Sequence, residues 1–125
     1  MEPHDIQKAL SRLPTTAKDA DAAFAKLAPF NHGGIFVGRF SRQTPWERHP
    51  QGDEFLHVLD GEVELTVLTE HEPVCVTLRA GSIFVVPQGL WHRQVAQTRT
   101  AALLSATPTP TDISAAKDPR GPKGK

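Results

Sequence analysis

An all-β barrel or sandwich, preceded by short helices, is the fold this sequence predicts. Three observations predict it. From Gly33 onward, seven short segments are rich in the Val, Leu, Phe and Thr that suit pleated strands. Turn signals separate them at Asp60-Gly61, Glu70 to Pro73, Ala80-Gly81 and Pro87-Gln88-Gly89. Eleven prolines and nine glycines among 125 residues imply many turns. A chain of this length holds one domain with its own core and not two.

The elements follow in order. Residues 5–13 place Ile6, Ala9, Leu10 and Leu13 at helical spacing, with Asp5 as a cap and Pro14 as a stop. Residues 17–28 read as a second helix, because Ala and Lys favour it, and Pro29 ends it. Together they predict a helical extension over 1–33, lying against the outside of a barrel over 34–107. The strands are expected at 34–40, 54–59, 62–69, 74–79, 82–86, 92–97 and 101–106. Within 54–59, Leu56 and Val58 fall on one face and Phe55 and Leu59 on the other. A strand apolar on both faces predicts that the helices or a second subunit cover the outer one. Residues 108–125, rich in Pro, Thr, Lys and Gly, predict a flexible tail whose last eight residues are disordered.

Composition excludes several functions. Fourteen basic side chains balance fourteen acidic ones, and Lys and Arg are scattered, so no nucleic acid or anionic membrane is expected as partner. Cys75 is the one cysteine; an internal disulfide and a Cys-x-x-Cys pair are both excluded. With no local His or basic neighbour, it reads as a small core residue and not as a nucleophile. Met1 to Leu10 carries Glu2, Asp5 and Lys8 and no apolar run of the secretory kind, and no segment approaches the ~20 apolar residues of a membrane span. A cytoplasmic protein is the expectation. The absence of Tyr excludes any mechanism that needs a phenolic base.

Residues suited to metal binding crowd into two stretches. In Trp46 to His57, Glu47 and His49 share a face by strand parity, and the Pro50-Gln51-Gly52-Asp53 segment turns the chain so that Glu54 enters the next strand beside them. Convergence of imidazole and carboxylate from neighbouring strands is what a divalent metal needs. In Gly81 to His92, a strand and a Pro/Gly turn deliver His92 toward a barrel mouth.

Together the two stretches resemble the paired motifs of the cupin superfamily. His49, Glu54 and Gly61 match the second half of its first motif, and Gly81, Pro87, Gly89 and His92 match its second motif at the family's spacing. The resemblance spans roughly residues 34–106 and is similar to small single-domain bacterial cupins. It implies a double-stranded β-helix, a jelly-roll barrel with one divalent ion (Fe, Mn, Zn or Ni) and the ligand set Glu47, His49, Glu54 and His92. Three positions depart from the pattern. Glu47 stands at the usual first histidine, Ser41 at an early glycine, and Ala96 at a final Asn. The Ser41 departure predicts locally altered strand pairing.

Each assignment has an alternative. His49 and His92 are otherwise hydrogen-bonded histidines, and Glu54 a salt-bridged strand-end carboxylate. Glu47 is a ligand, a group orienting His49, or a surface carboxylate paired with Arg48 or Arg42. His57, three residues after Glu54, faces the other way and is not a ligand; His71 lies in a solvated turn. Trp46 and Trp91 point away from the site by parity. Phe36, Phe40, Phe84 and Gln94 are candidate cavity residues. Three functions stay open: a metal-dependent enzyme acting on a small polar molecule, a non-catalytic small-molecule binder or sensor, and a metal-free structural protein. Strands apolar on both faces also suggest a homodimer.

Overall fold

The computed structural model describes residues 1–13 and 22–121. One short helix, α1 (Ile6–Ser11), precedes nine strands: β1 (Ala22–Phe30), β2 (Gly33–Gln43), β3 (Trp46–Arg48), β4 (Glu54–Asp60), β5 (Glu62–Val67), β6 (Val74–Arg79), β7 (Ile83–Val86), β8 (His92–Pro108) and β9 (Asp112–Ser114). Asp5 caps α1 through its side chain, which accepts from the Lys8 amide.

All pairings are antiparallel, and the long β8 organises them. Its second half runs between β2 and β4, and its first half pairs with β5 and touches β3. The sheet curls into a nearly closed barrel, as the all-β reading expects. The two strands expected at 92–97 and 101–106 are one continuous strand. The β2–β8 ladder shifts between Phe40 and Arg42, and Arg42 has φ 66°. The altered pairing thus falls at Ser41.

The barrel interior is packed at one end by Phe40, Leu56, Val58, Val63, Leu65 and Leu103. On the outside, Leu10 and Leu13 of the α1 region pack on Val37 and Ala102, with Leu59 and Leu104 alongside. This is the cover that a strand apolar on both faces requires. Gly61 and Gly89 take φ 80° and 78° in their turns, the left-handed region that glycine enters without cost.

Three expectations need correction. The helix expected over 17–28 is, from Ala22 onward, strand β1, paired with β2 from Ala22↔Phe40 to Phe30↔Gly33; residues 17–21 lie outside the described residues. Helix propensity is a weak prior, and pairing with an open sheet edge overrides it. Within β1, Ala23, Ala25 and Leu27 face the α1 cluster, while the Phe24 ring fills the space that a side chain at position 38 would take. Residues 108–121, expected as a flexible tail, carry β9, which pairs with β3, and Arg120, which donates to the Thr69 carbonyl. Finally, Cys75 is exposed and not part of the core. On edge strand β6 the inward positions belong to Val76 and Leu78. Among the described residues, no helix is long and apolar enough to cross a membrane.

Candidate metal centre

β3 is three residues long and lies between β8 and β9, with Glu47 opposite both His92 and Ile113. Residues directly opposite in a ladder project side by side. The register therefore sets Glu47 beside His92, and parity brings His49 to the same face. The Pro87-Gln88-Gly89 turn is tied to the loop before β4. Gly89 donates its amide to the His49 carbonyl at 3.0 Å, the Gln88 amide donates to Asp53 Oδ1 at 2.8 Å, and Gln88 Nε2 donates to the Pro50 carbonyl at 2.8 Å. These three bonds join the two sequence motifs in space and bring the two imidazoles together, with ring centroids 5.2 Å apart.

One ligand atom from each of Glu47, His49 and His92 lies within 4.8 Å of the others. Ligands about 2.1 Å from a first-row ion stand up to ~4.2 Å apart, so a small contraction closes the set. Glu54, at the start of β4, is buried and touches both imidazoles with one oxygen. Its Oε1 lies 3.0 Å from His92 Nε2 and 3.3 Å from His49 Nε2, and Thr107 donates to Oε2 at 2.6 Å. The His49–Glu54 contact is close enough for an ion pair but poorly directed, and His49 Nε2 is buried without a hydrogen-bond partner. A buried ring nitrogen with no hydrogen bond, within ion-pair distance of Glu54 and grouped with Glu47 and His92, fits a metal ligand.

The outer nitrogen of each ring is anchored. His92 Nδ1 bonds the Leu90 carbonyl at 3.0 Å, and His49 Nδ1 bonds Thr111 Oγ1 at 3.0 Å. Such bonds fix ring orientation and leave Nε2 facing the site. The electrostatics are strongly coupled. Burial pushes Glu54 up, but the close contacts and charges of His49 and His92 outweigh it and hold the carboxyl at about 2. Glu47 is pushed up by burial and by the charge of Glu54. Burial disfavours charge on His92, and its bond to Glu54 reverses that and raises it.

A cavity of about 250 Å³ opens beside these groups. Glu47, His49 and Glu54 form part of its wall with Thr44, Gln94, Ser105 and Thr107, facing Phe36, Leu56 and Leu103; Phe24, Thr111 and Ile113 stand at the side of β1 and β9. Of the candidate cavity residues, Phe36 and Gln94 line it, while Phe40 and Phe84 belong to the core. On the outer face of β3 and β8, Arg93 lies over the Trp46 ring at 4.3 Å and Arg48 over the Trp91 ring at 4.5 Å. Both tryptophans point away from the site, as parity requires. Arg48 pairs with Asp112 and not with Glu47. His57 lies on the face opposite Glu54, and His71 is exposed. Thr107 and Thr111 are site residues that the sequence reading missed. Parity from Ser105 points to Thr107. No local pattern points to Thr111, which follows the cis Thr109–Pro110 bond.

Among curated proteins, the chain is 38% identical over 88 residues to germin-like protein 1 of Brassica napus, covering 66% of this chain and 42% of that protein. It is 27% identical over 94 residues to the uncharacterized protein YdbB of Bacillus subtilis (strain 168), covering 75% and 80%. The chain spans less than half the length of the germin-like proteins it matches. Among solved structures, an oxalate oxidase superposes with a TM-score of 0.65 at 22% identity, over 82% of this chain and 59% of that one. A cupin-2 domain protein from Shewanella frigidimarina superposes with a TM-score of 0.63 at 16% identity, over 89% and 94%. At these identities the superpositions show a shared fold, the jelly-roll barrel. The Cupin domain family matches residues 41–106, more than half of the chain, so this protein belongs to the cupin family.

Proposed function

We propose that this cupin holds one divalent ion between Glu47, His49, Glu54 and His92 and works on a small polar molecule in the adjoining cavity. The observation that carries the reading is the convergence of Glu47, His49 and His92, with His49 Nε2 buried and making no hydrogen bond. Two carboxylates with two imidazoles favour a harder ion, Fe(II) or Mn(II), over Zn(II) or Ni(II). When bound, such an ion supplies Lewis-acid polarisation or redox chemistry. The cavity, at about 250 Å³, is below the roughly 300–1,000 Å³ of pockets for drug-sized ligands, so the molecule has few heavy atoms.

An enzyme is the first reading, supported by the cluster of carboxylates and imidazoles in the cavity wall. A non-catalytic binder is the second. Its support is that the remaining polar wall groups, Thr44, Gln94, Ser105, Thr107 and Thr111, are hydroxyls and an amide that do not titrate near neutral pH. The likeness to oxalate oxidase, at 22% identity, does not bring its substrate with it. The reading includes a homodimer, supported by Ile83 and Val85, which are 58% and 49% exposed on the edge strand β7. Elemental analysis of protein purified without chelator and loaded with Mn(II) or Fe(II) tests the metal reading. Close to one ion per chain is expected, and protein that takes up no metal refutes it.

A further inference from the structure

We infer that the cavity selects neutral hydrogen-bonding molecules over carboxylate anions, and that Glu47 sets this preference. The inference rests on the metal reading above and adds the charge class of the ligand. Two carboxylates, Glu47 and Glu54, line the cavity, and none of its described lining residues is Lys or Arg. Arg48 is turned to the outer face, over Trp91 and against Asp112. Lys26 lays its alkyl stem over Gly34 and is exposed, outside the lining.

With both imidazoles neutral, a divalent ion and two carboxylates sum to zero formal charge. An anion entering this space gives up its hydration and meets no net positive field in return, and its own charge lies beside the Glu47 oxygens. A neutral amide or alcohol gives up less. It finds donors and acceptors on the Thr44 and Gln94 wall and apolar contact with Phe36 and Leu103. Neutral imidazole at position 47 leaves the same ion with a net charge of +1, and the preference reverses. One side chain therefore decides the sign of the field a ligand meets.

Glycolate and glycolamide test this directly, because they share size and hydroxyl and differ in charge. Each is titrated calorimetrically into Mn(II)-loaded parent protein, Glu47→His and Glu47→Gln, with metal content measured on the same samples. The inference predicts that glycolate binds both variants on the order of tenfold or more tighter than it binds the parent. Glycolamide affinity changes little across the three. Equal glycolate affinity in fully loaded parent and variants overturns the inference and leaves the metal reading standing. So does tighter binding of glycolate than of glycolamide by the parent. A parent that holds no metal overturns the metal reading itself, and this inference with it.

Discussion

His92 makes two hydrogen bonds that together define its protonation. The Leu90 carbonyl can only accept, so Nδ1 donates; Glu54, held at about 2, is a carboxylate at neutral pH and also accepts, so Nε2 donates. Both bonds favour the imidazolium form of the metal-free ring, in line with its raised pKa. The sign of each contribution follows. His92 is raised above its ordinary 6.5, so its stabilising effect is full below that pH and is lost as pH rises through the raised value. Glu54 is lowered from 4.5 to about 2, so its effect is full above 4.5 and is lost as pH falls toward 2. Metal binding has the opposite requirement at His92, because Nε2 must shed its proton. Affinity should therefore weaken as pH falls, beginning above 6.5. Calorimetry in two buffers of different ionisation enthalpy at pH 6 should report proton release on metal binding; no release would contradict this requirement. Thr111 acts on the other ring. Thr111→Val keeps the shape and removes the bond to His49 Nδ1, and metal affinity should fall by about 10–100-fold, with Thr111→Ser restoring it. An unchanged affinity in Thr111→Val would show that His49 needs no such anchor.

At the scale of elements, the three-residue strand β3 holds its place through its outer face. Trp46 and Arg48 alternate with Arg93 and Trp91 across the β3–β8 pair, and Arg48 reaches Asp112 of β9 with two nitrogens, at 3.0 and 2.8 Å. The charge pairs are half exposed, so their worth is modest. Arg48→Ala loses both the ring contact and the ion pair and should lower stability by about 1 kcal/mol in urea denaturation. It should also expose residues 112–114 to limited proteolysis. Asp112→Asn should do less of each, and full protection in Arg48→Ala would show that β9 needs no such fastening. The same elements show where sequence patterns fail. The Ala-rich stretch 22–28 hides its period of two, because Ala23 and Ala25 carry little hydrophobic contrast against Phe24 and Lys26. Strand β9 forms because β3 has an open edge, and composition in the Pro/Thr-rich tail carries no trace of that partner.

For the whole molecule, the barrel was legible because its turns are written in Gly and Pro at fixed spacing, and the same spacing brings Glu47, His49, Glu54 and His92 together. What was not legible comes from contacts distant in sequence, such as Thr111 on His49 across 62 residues. Among the described residues the outer sheet face is only partly covered: α1 packs over Val37 and Ala102, while Ile83 and Val85 stay exposed on β7. Sedimentation should show a dimer at micromolar concentration, and Ile83→Lys should shift it to monomer with the barrel intact. A parent that sediments only as monomer would contradict the dimer. The central claim is that these four residues bind a metal ion, and one measurement tests it most directly. Elemental analysis is run on parent, His49→Ala and His92→Ala, each purified without chelator, loaded with Mn(II) and desalted. The account predicts close to one ion per chain in the parent and little in either variant, with far-UV circular dichroism unchanged. Equal metal in all three proteins, or none in the parent, would contradict it.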